Sequence, residues 1–180
     1  AEHVSDIVDE FRRDTVVELV ETHVPAGVYP EQWNIEGLKE DAQRILNLDL
    51  DLDAWMTEDV VDQDMILDRV SDLAEERFAT KKGSIPAESW AYMEKNFLLQ
   101  SLDHHRKEHL ATLDALRQVV HLRAYAQKTP INEYKAEAFM LFERMLKLVR
   151  EDVTRMLSFA EFQAPEAMPM PELPDILKLD

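Results

Sequence analysis

The sequence predicts an all-α fold, and three observations carry that prediction. Apolar residues recur at three- and four-residue spacings through most of the chain. Glycine is scarce, 3 of 180 residues, which argues against a turn-rich all-β fold. No glycine or proline interrupts the chain between Pro86 and Pro130. The length suits one domain or two small ones and is enough to bury a core.

Val4, Ile7, Val8, Phe11, Val16, Leu19 and Val20 share one helical face, so the spacing predicts a helix over 4–22 that stops before Pro25-Ala26-Gly27. Trp33, Ile35, Leu38, Ala42, Ile45 and Leu46 predict a shorter helix from Glu36 to Asn47. Leu48 to Asp53 alternates Leu with Asp, which reads as a short extended segment with leucines on one side. A calcium loop counted from Asp49 would need Gly at its sixth position and Glu at its twelfth, where Ala54 and Val60 stand. Thr57 followed by Glu58 and Asp59 predicts a helix start, and Met65, Ile66, Val70, Leu73 and Phe78 carry that helix to Thr80. Lys81 and Lys82 suit its carboxyl end, and Gly83 is expected to close it.

Ser84, Pro86 and Glu88 predict the start of a long helix reaching about residue 125, roughly 60 Å at 1.5 Å per residue. Its apolar positions run from Trp90 through Leu98, Leu102, Leu110 and Leu116 to Val120. A helix of that length needs a partner. The partner begins at Thr129-Pro130, a cap and a first-turn proline, and continues for about 30 amphipathic residues to Leu157. The short connection makes the two antiparallel, a helical hairpin with its tip at 123–132. Phe139, Phe142, Met145 and Met156 read as hairpin core. Residues 163–180 hold four prolines and net negative charge, and read as a linker or tail without a core.

The formal charge is −17, distributed as −15 over residues 1–100, +2 over 101–160 and −4 over 161–180. Such a chain is a poor general binder of nucleic acid. Arg117, Arg123, Lys128 and Lys135 form a small basic zone whose near acidic neighbour is Glu133; it reads either as a solvated helix turn or as a contact for an acidic or polar partner. The absence of cysteine excludes disulfides, Cys-ligated metals and a thiol nucleophile. No apolar run reaches the length of a membrane span, and no signal-peptide pattern is seen. The first residue is Ala1, so a processed product or an excised piece of a longer chain is expected.

Catalytic signals are few. Neither phosphate-binding glycine motif is present, and no serine lies in a nucleophile elbow. His105 and His109 are four apart, as are His104 and Glu108, but a zinc site built on either pair needs a third ligand. Tyr125 falls at the hairpin tip, packed locally against Tyr134 or Pro130 or offered to a partner. The residues alone describe a helical interaction or lever module with no visible catalytic centre.

The run Lys107-Glu108-His109-Leu110, Leu113-Asp114, Leu116-Arg117-Gln118, His121-Leu122-Arg123-Ala124-Tyr125-Ala126-Gln127-Lys128, Pro130 and Glu133-Tyr134-Lys135 closely resembles the C-terminal region of SecA. SecA is the ATPase that drives bacterial preprotein translocation. Leu98 to Asp103 and Trp33 to Leu38 are similar to the same family, so the resemblance covers about residues 1–162. Arg106 stands where the family has Trp, Ala124 where it has Gly, and Thr129 where it has Asp. The family's Cys-rich zinc tail is absent.

The resemblance implies a helical wing at 1–90, a helical scaffold with its two-helix finger at 91–162, and a Pro-rich acidic linker at 163–180. It implies that Tyr125 is the fingertip, with Arg123, Gln127 and Lys128 beside it, contacting the SecYEG channel and the unfolded preprotein. ATP and Mg²⁺ would belong to the parent's motor, with no cofactor or metal in this portion, which alone would not hydrolyse ATP. The parent would be cytoplasmic, peripheral to the inner membrane, able to form a homodimer, and without a nucleic-acid partner. The rival readings are a free-standing acidic helical adaptor or chaperone, and a His-ligated metalloenzyme.

Overall fold

A computed structural model describes residues 2–123 and 130–162. Among the described residues there are six α-helices, one 3₁₀ turn and no strand. Helix α1 (Glu2–His23) ends where predicted, and Gly27 turns the chain in the left-handed region with φ +73°. A 3₁₀ turn at Pro30–Gln32 leads into α2 (Ile35–Leu46). The Asn34 side chain caps α2 by accepting from the Gly37 N–H at 3.0 Å. Asn47 ends it in the left-handed conformation with φ 53°.

The Leu/Asp alternation places Leu48, Leu50 and Leu52 in the core and the three aspartates in solvent. The segment is not extended throughout. At Leu52 it winds into a single turn, α3 (Leu52–Trp55), because the Asp51 carbonyl accepts from the Trp55 N–H. Nor does Thr57 start the next helix. Its hydroxyl donates back to the Ala54 carbonyl at 2.7 Å, and the cap of α4 (Gln63–Gly83) is Asp62, which accepts from the Met65 N–H. The intervening residues fold over the core, with Val61 packed against it and Glu58 paired with Arg69 at 2.7 Å. At the other end Gly83 remains helical, and Ser84 closes α4 instead of opening the long helix: its N–H bonds the Thr80 and Lys81 carbonyls, and its hydroxyl donates to Lys81.

Helix α5 (Ala87–Arg123) starts with the Trp90 N–H donating to the Pro86 carbonyl. Its 37 residues span about 55 Å. Helix α6 (Pro130–Phe159) returns antiparallel to it: His105 meets Asp152, whereas Arg123 meets Glu133 and Glu137.

Two apolar clusters hold the molecule. One joins Val16, Leu19 and Val20 of α1 and Val24 just past it to Leu38, Ile45 and Leu46 of α2, to Leu48, Leu50 and Leu52, and to Ile66 and Val70 of α4. The other joins Val8 of α1, Phe78 of α4, Trp90 and Leu98 of α5, and Val149, Val153 and Leu157 of α6. Helix α1 contributes to both. The α6 valines and Leu157 lie four apart and are fully buried. Around them Lys147 pairs with Glu18 at 3.0 Å, Arg150 with Asp14 at 3.7 Å and Arg44 with Glu151 at 3.3 Å. The Ser158 carbonyl, one of the last-turn acceptors a helix leaves open, takes hydrogen bonds from Asn47 and Lys81.

Two buried ionisable side chains, Arg12 and Glu94, lie on helices that build the second cluster. Arg12 of α1 donates to both Glu75 oxygens at 3.1 and 2.9 Å and to Asp9 at 3.0 Å, while its guanidinium lies 3.6 Å from the Phe78 ring centroid. A planar fork is required for that combination. Replacing Arg12 with Met keeps much of the stem but loses the fork, and urea unfolding is expected to show a loss of about 2–3 kcal/mol. Glu94 of α5 is buried with Oε2 unpartnered. Burial pushes its carboxyl above the ordinary carboxylate range, opposed by the nearby Lys82 charge. A carboxyl raised in the folded state penalises folding above its folded pKa, and that penalty vanishes below its unfolded value of 4.5. Glu94→Gln is therefore expected to raise the melting temperature at pH 7.5, with the gain shrinking as the pH falls toward 4.5.

Candidate functional site

The long hairpin carries most of the exposed large apolar side chains among the described residues. Near its base, α5 turns Trp90, Leu98, Ser101 and His105 inward, and α6 answers with Val149 and Val153. Farther out, the inward positions of α5 are only half-buried until Val120. A two-helix pair has one contact line, narrower than the apolar stripe these helices carry. The excess is left in solvent: Leu122 is 70% exposed, Phe139 65% and Met140 69%. The expectation that Phe139, Phe142, Met145 and Met156 form hairpin core therefore holds only in part. Met145 and Met156 are half-buried, but Phe139 and Phe142 are exposed because no third helix covers them among the described residues. Exposed apolar side chains concentrated on one helix pair are the kind of surface that serves as a contact region on a folded chain.

Of the four contact residues expected from the sequence, Arg123 is placed at the outer end of α5, half-exposed, with Nη1 3.2 Å from Glu137 and 3.6 Å from Glu133. Tyr125, Gln127 and Lys128 lie outside the described residues, as do Ala124 and Thr129. The basic zone is more balanced than its sequence neighbourhood implies. Asp114 pairs with Arg117 at 3.7 Å, and Glu137 joins Glu133 at Arg123. Both partners stand one helical turn or one helix away, where a linear reading does not count them.

Two open grooves flank the hairpin. One, about 250 Å³, is lined by His105, Glu108, His109 and Thr112 of α5 and by Leu141, Arg144, Met145 and Leu148 of α6. The other, about 570 Å³, is bounded by Leu99, Leu102 and Arg106 of α5 with Met145 of α6, so the Arg106 position faces a largely apolar surface.

At the inner end of the first groove the polar side chains converge. The His105 side chain is 9% exposed, with Nε2 2.5 Å from Asp152 Oδ2 and Nδ1 3.8 Å from Glu108 Oε2. His104 Nε2 is 3.5 Å from Glu108 Oε1. The His105–His109 pair considered from spacing is not assembled, since His109 turns to the Phe142 ring at 6.0 Å between centroids. Asp152 was not among the residues the sequence pointed to. Hairpin register is the signal that finds it: His105 lies 18 residues before the end of α5 and Asp152 lies 22 after the start of α6.

Comparison with known proteins places nearly the whole chain in one family. The SecA wing and scaffold domain family matches residues 1–161. The chain is 40% identical over 179 residues to the protein translocase subunit SecA of Afipia carboxidovorans, covering 99% of this chain and 19% of that protein. It is 42% identical over 181 residues to the protein translocase subunit SecA 1 of Nitrobacter hamburgensis, again with 99% and 19% coverage. Against the SecA of Rhodopseudomonas palustris strain BisB18 the identity is 44% over 163 residues, 91% of this chain and 17% of that one. The chain thus spans about a fifth of the length of the curated relatives it matches. With its all-helical architecture and long antiparallel hairpin, the chain belongs to the SecA wing and scaffold domain family.

Proposed function

We propose that the chain is the wing and scaffold portion of a SecA-like protein-translocating ATPase. On this reading residues 1–90 are the wing, 91–162 the scaffold with its two-helix finger, and 163–180 an acidic linker. The observation that carries it is the match to SecA over nearly the whole chain, joined to a hairpin whose base is clamped and whose outer half carries exposed apolar surface. ATP and Mg²⁺ binding would reside in the four-fifths of the relatives that this chain does not match. The wing and scaffold would couple that motor to the SecYEG channel and touch the unfolded preprotein through Tyr125, Arg123, Gln127 and Lys128. The parent would act in the cytoplasm at the inner-membrane surface, as a monomer or homodimer.

The physical case rests on stiffness and on what is left exposed. Each turn of a paired helix removes apolar area from water at ~25 cal/mol per Å², which resists bending. Uncovered Phe139, Met140 and Leu122 offer non-directional contact, suited to a partner whose sequence varies. No helix among the described residues is long and apolar enough to cross a membrane.

The test uses the full-length parent. Tyr125→Ala is expected to reduce ATP-driven transport of an unfolded preprotein by about tenfold, while basal ATP hydrolysis stays within about twofold. Transport equal to that of the unaltered protein would remove the fingertip role.

A further inference from the structure

We propose that His104, His105 and Glu108 form a zinc-class divalent metal site at the inner end of the hairpin groove, oriented by Asp152 of the opposing helix. The three side chains place one ligand atom each within 4.8 Å of one another. Tetrahedral zinc with bonds of about 2.0–2.1 Å holds its ligand atoms roughly 3.3 Å apart. His104 Nε2 lies 3.5 Å from Glu108 Oε1 and His105 Nδ1 lies 3.8 Å from Glu108 Oε2, so the two imidazoles approach opposite oxygens of one carboxylate, and an ion between them would draw the three groups together. His104 and Glu108 are largely exposed, so their side chains are free to change rotamer and close on an ion.

The second observation is the state of His105. Its side chain is about nine-tenths buried, and its Nδ1 has no hydrogen-bond partner. A buried, unsatisfied ring nitrogen needs an explanation. Nε2 lies 2.5 Å from the Asp152 carboxylate, which favours the tautomer with its proton on Nε2. That leaves the Nδ1 lone pair facing Glu108. A carboxylate behind one ring nitrogen and a cation before the other is the usual support of a metal-bound histidine. Arg155, 3.4 Å from the other Asp152 oxygen, steadies the carboxylate in turn. Two imidazoles and a carboxylate suit zinc better than calcium or magnesium, and they leave a fourth position for water or a groove ligand. All three ligands belong to α5, and the link to α6 is the His105–Asp152 hydrogen bond, which a bound ion would strengthen by making the Nε2 proton more acidic.

The experiment is calorimetric titration of the 180-residue chain with ZnCl₂, with Co²⁺ absorption as a report of geometry. One zinc per chain and a Co²⁺ band of tetrahedral intensity are expected. His104→Ala and Glu108→Gln, both at exposed positions, should each weaken binding about tenfold or more with helicity unchanged. Asp152→Asn should weaken it about 10–100-fold. His109→Ala should leave affinity within about twofold, since His109 is turned to Phe142. No saturable zinc uptake, or uptake that His104→Ala and Glu108→Gln both leave unchanged, would overturn the site.

Discussion

The inner half of α6 is the constraint on which the rest of the described structure depends. Val149, Val153 and Leu157 form a fully buried line that meets Trp90 and Leu98 of α5 and Val8 of α1. Polar contacts on either side of that line reach α1 through Glu18 and Asp14, α2 through Arg44, and α4 through Lys81. One helix thus ends as a wedge among four others. Its last-turn carbonyl at Ser158 is satisfied by Asn47, just past α2, and by Lys81 of α4, which leaves little freedom for the helix to slide or unwind. The outer half of α6 has only α5 as a described neighbour. The same helix is therefore core at one end and surface at the other.

That division explains the apolar exposure without treating it as an error of folding. A helix pair cannot cover a stripe as wide as the one carrying Leu141, Phe142 and Met145, so Phe139, Met140 and Phe142 are surplus to the packing. For a stand-alone chain such surplus is an aggregation hazard. On the function proposed above, it is what a contact element requires. The base supplies the counterpart: a side load on the outer hairpin must be taken up by the buried line and by the Arg12 fork that ties α1 to α4.

Much of the fold was legible in the sequence, because periodicity over long amphipathic helices is a strong signal. The ends of α1, α2, α5 and α6 fall within a few residues of expectation. Where reading failed, two local candidates competed for one role. Thr57 and Asp62 both suit a helix cap, and only the backward hydrogen bond of Thr57 to Ala54 decides between them. Ser84 likewise suits a start or a stop, and the carbonyls of α4 claim it. The burial of α6 was misjudged for a different reason: periodicity tells which face is apolar but not how many neighbours cover it. Family resemblance was legible from the run between Lys107 and Lys135 and is matched over residues 1–161. The joining of His105 to Asp152 was not, since their separation of 47 residues acquires meaning only through hairpin register.

Amide hydrogen exchange along α6 tests the central claim most directly, because it reads one helix residue by residue. The amides of residues 149–157 are expected to exchange only through global unfolding, at rates matching those of the buried positions Val20 and Val70. Amides of residues 134–142 should exchange at least about a hundredfold faster, since two-helix packing alone protects them. Uniform protection along the whole of α6 would contradict the account. The outer hairpin would then be covered or stabilised by something other than α5, and the division of α6 into anchored base and exposed arm would fall.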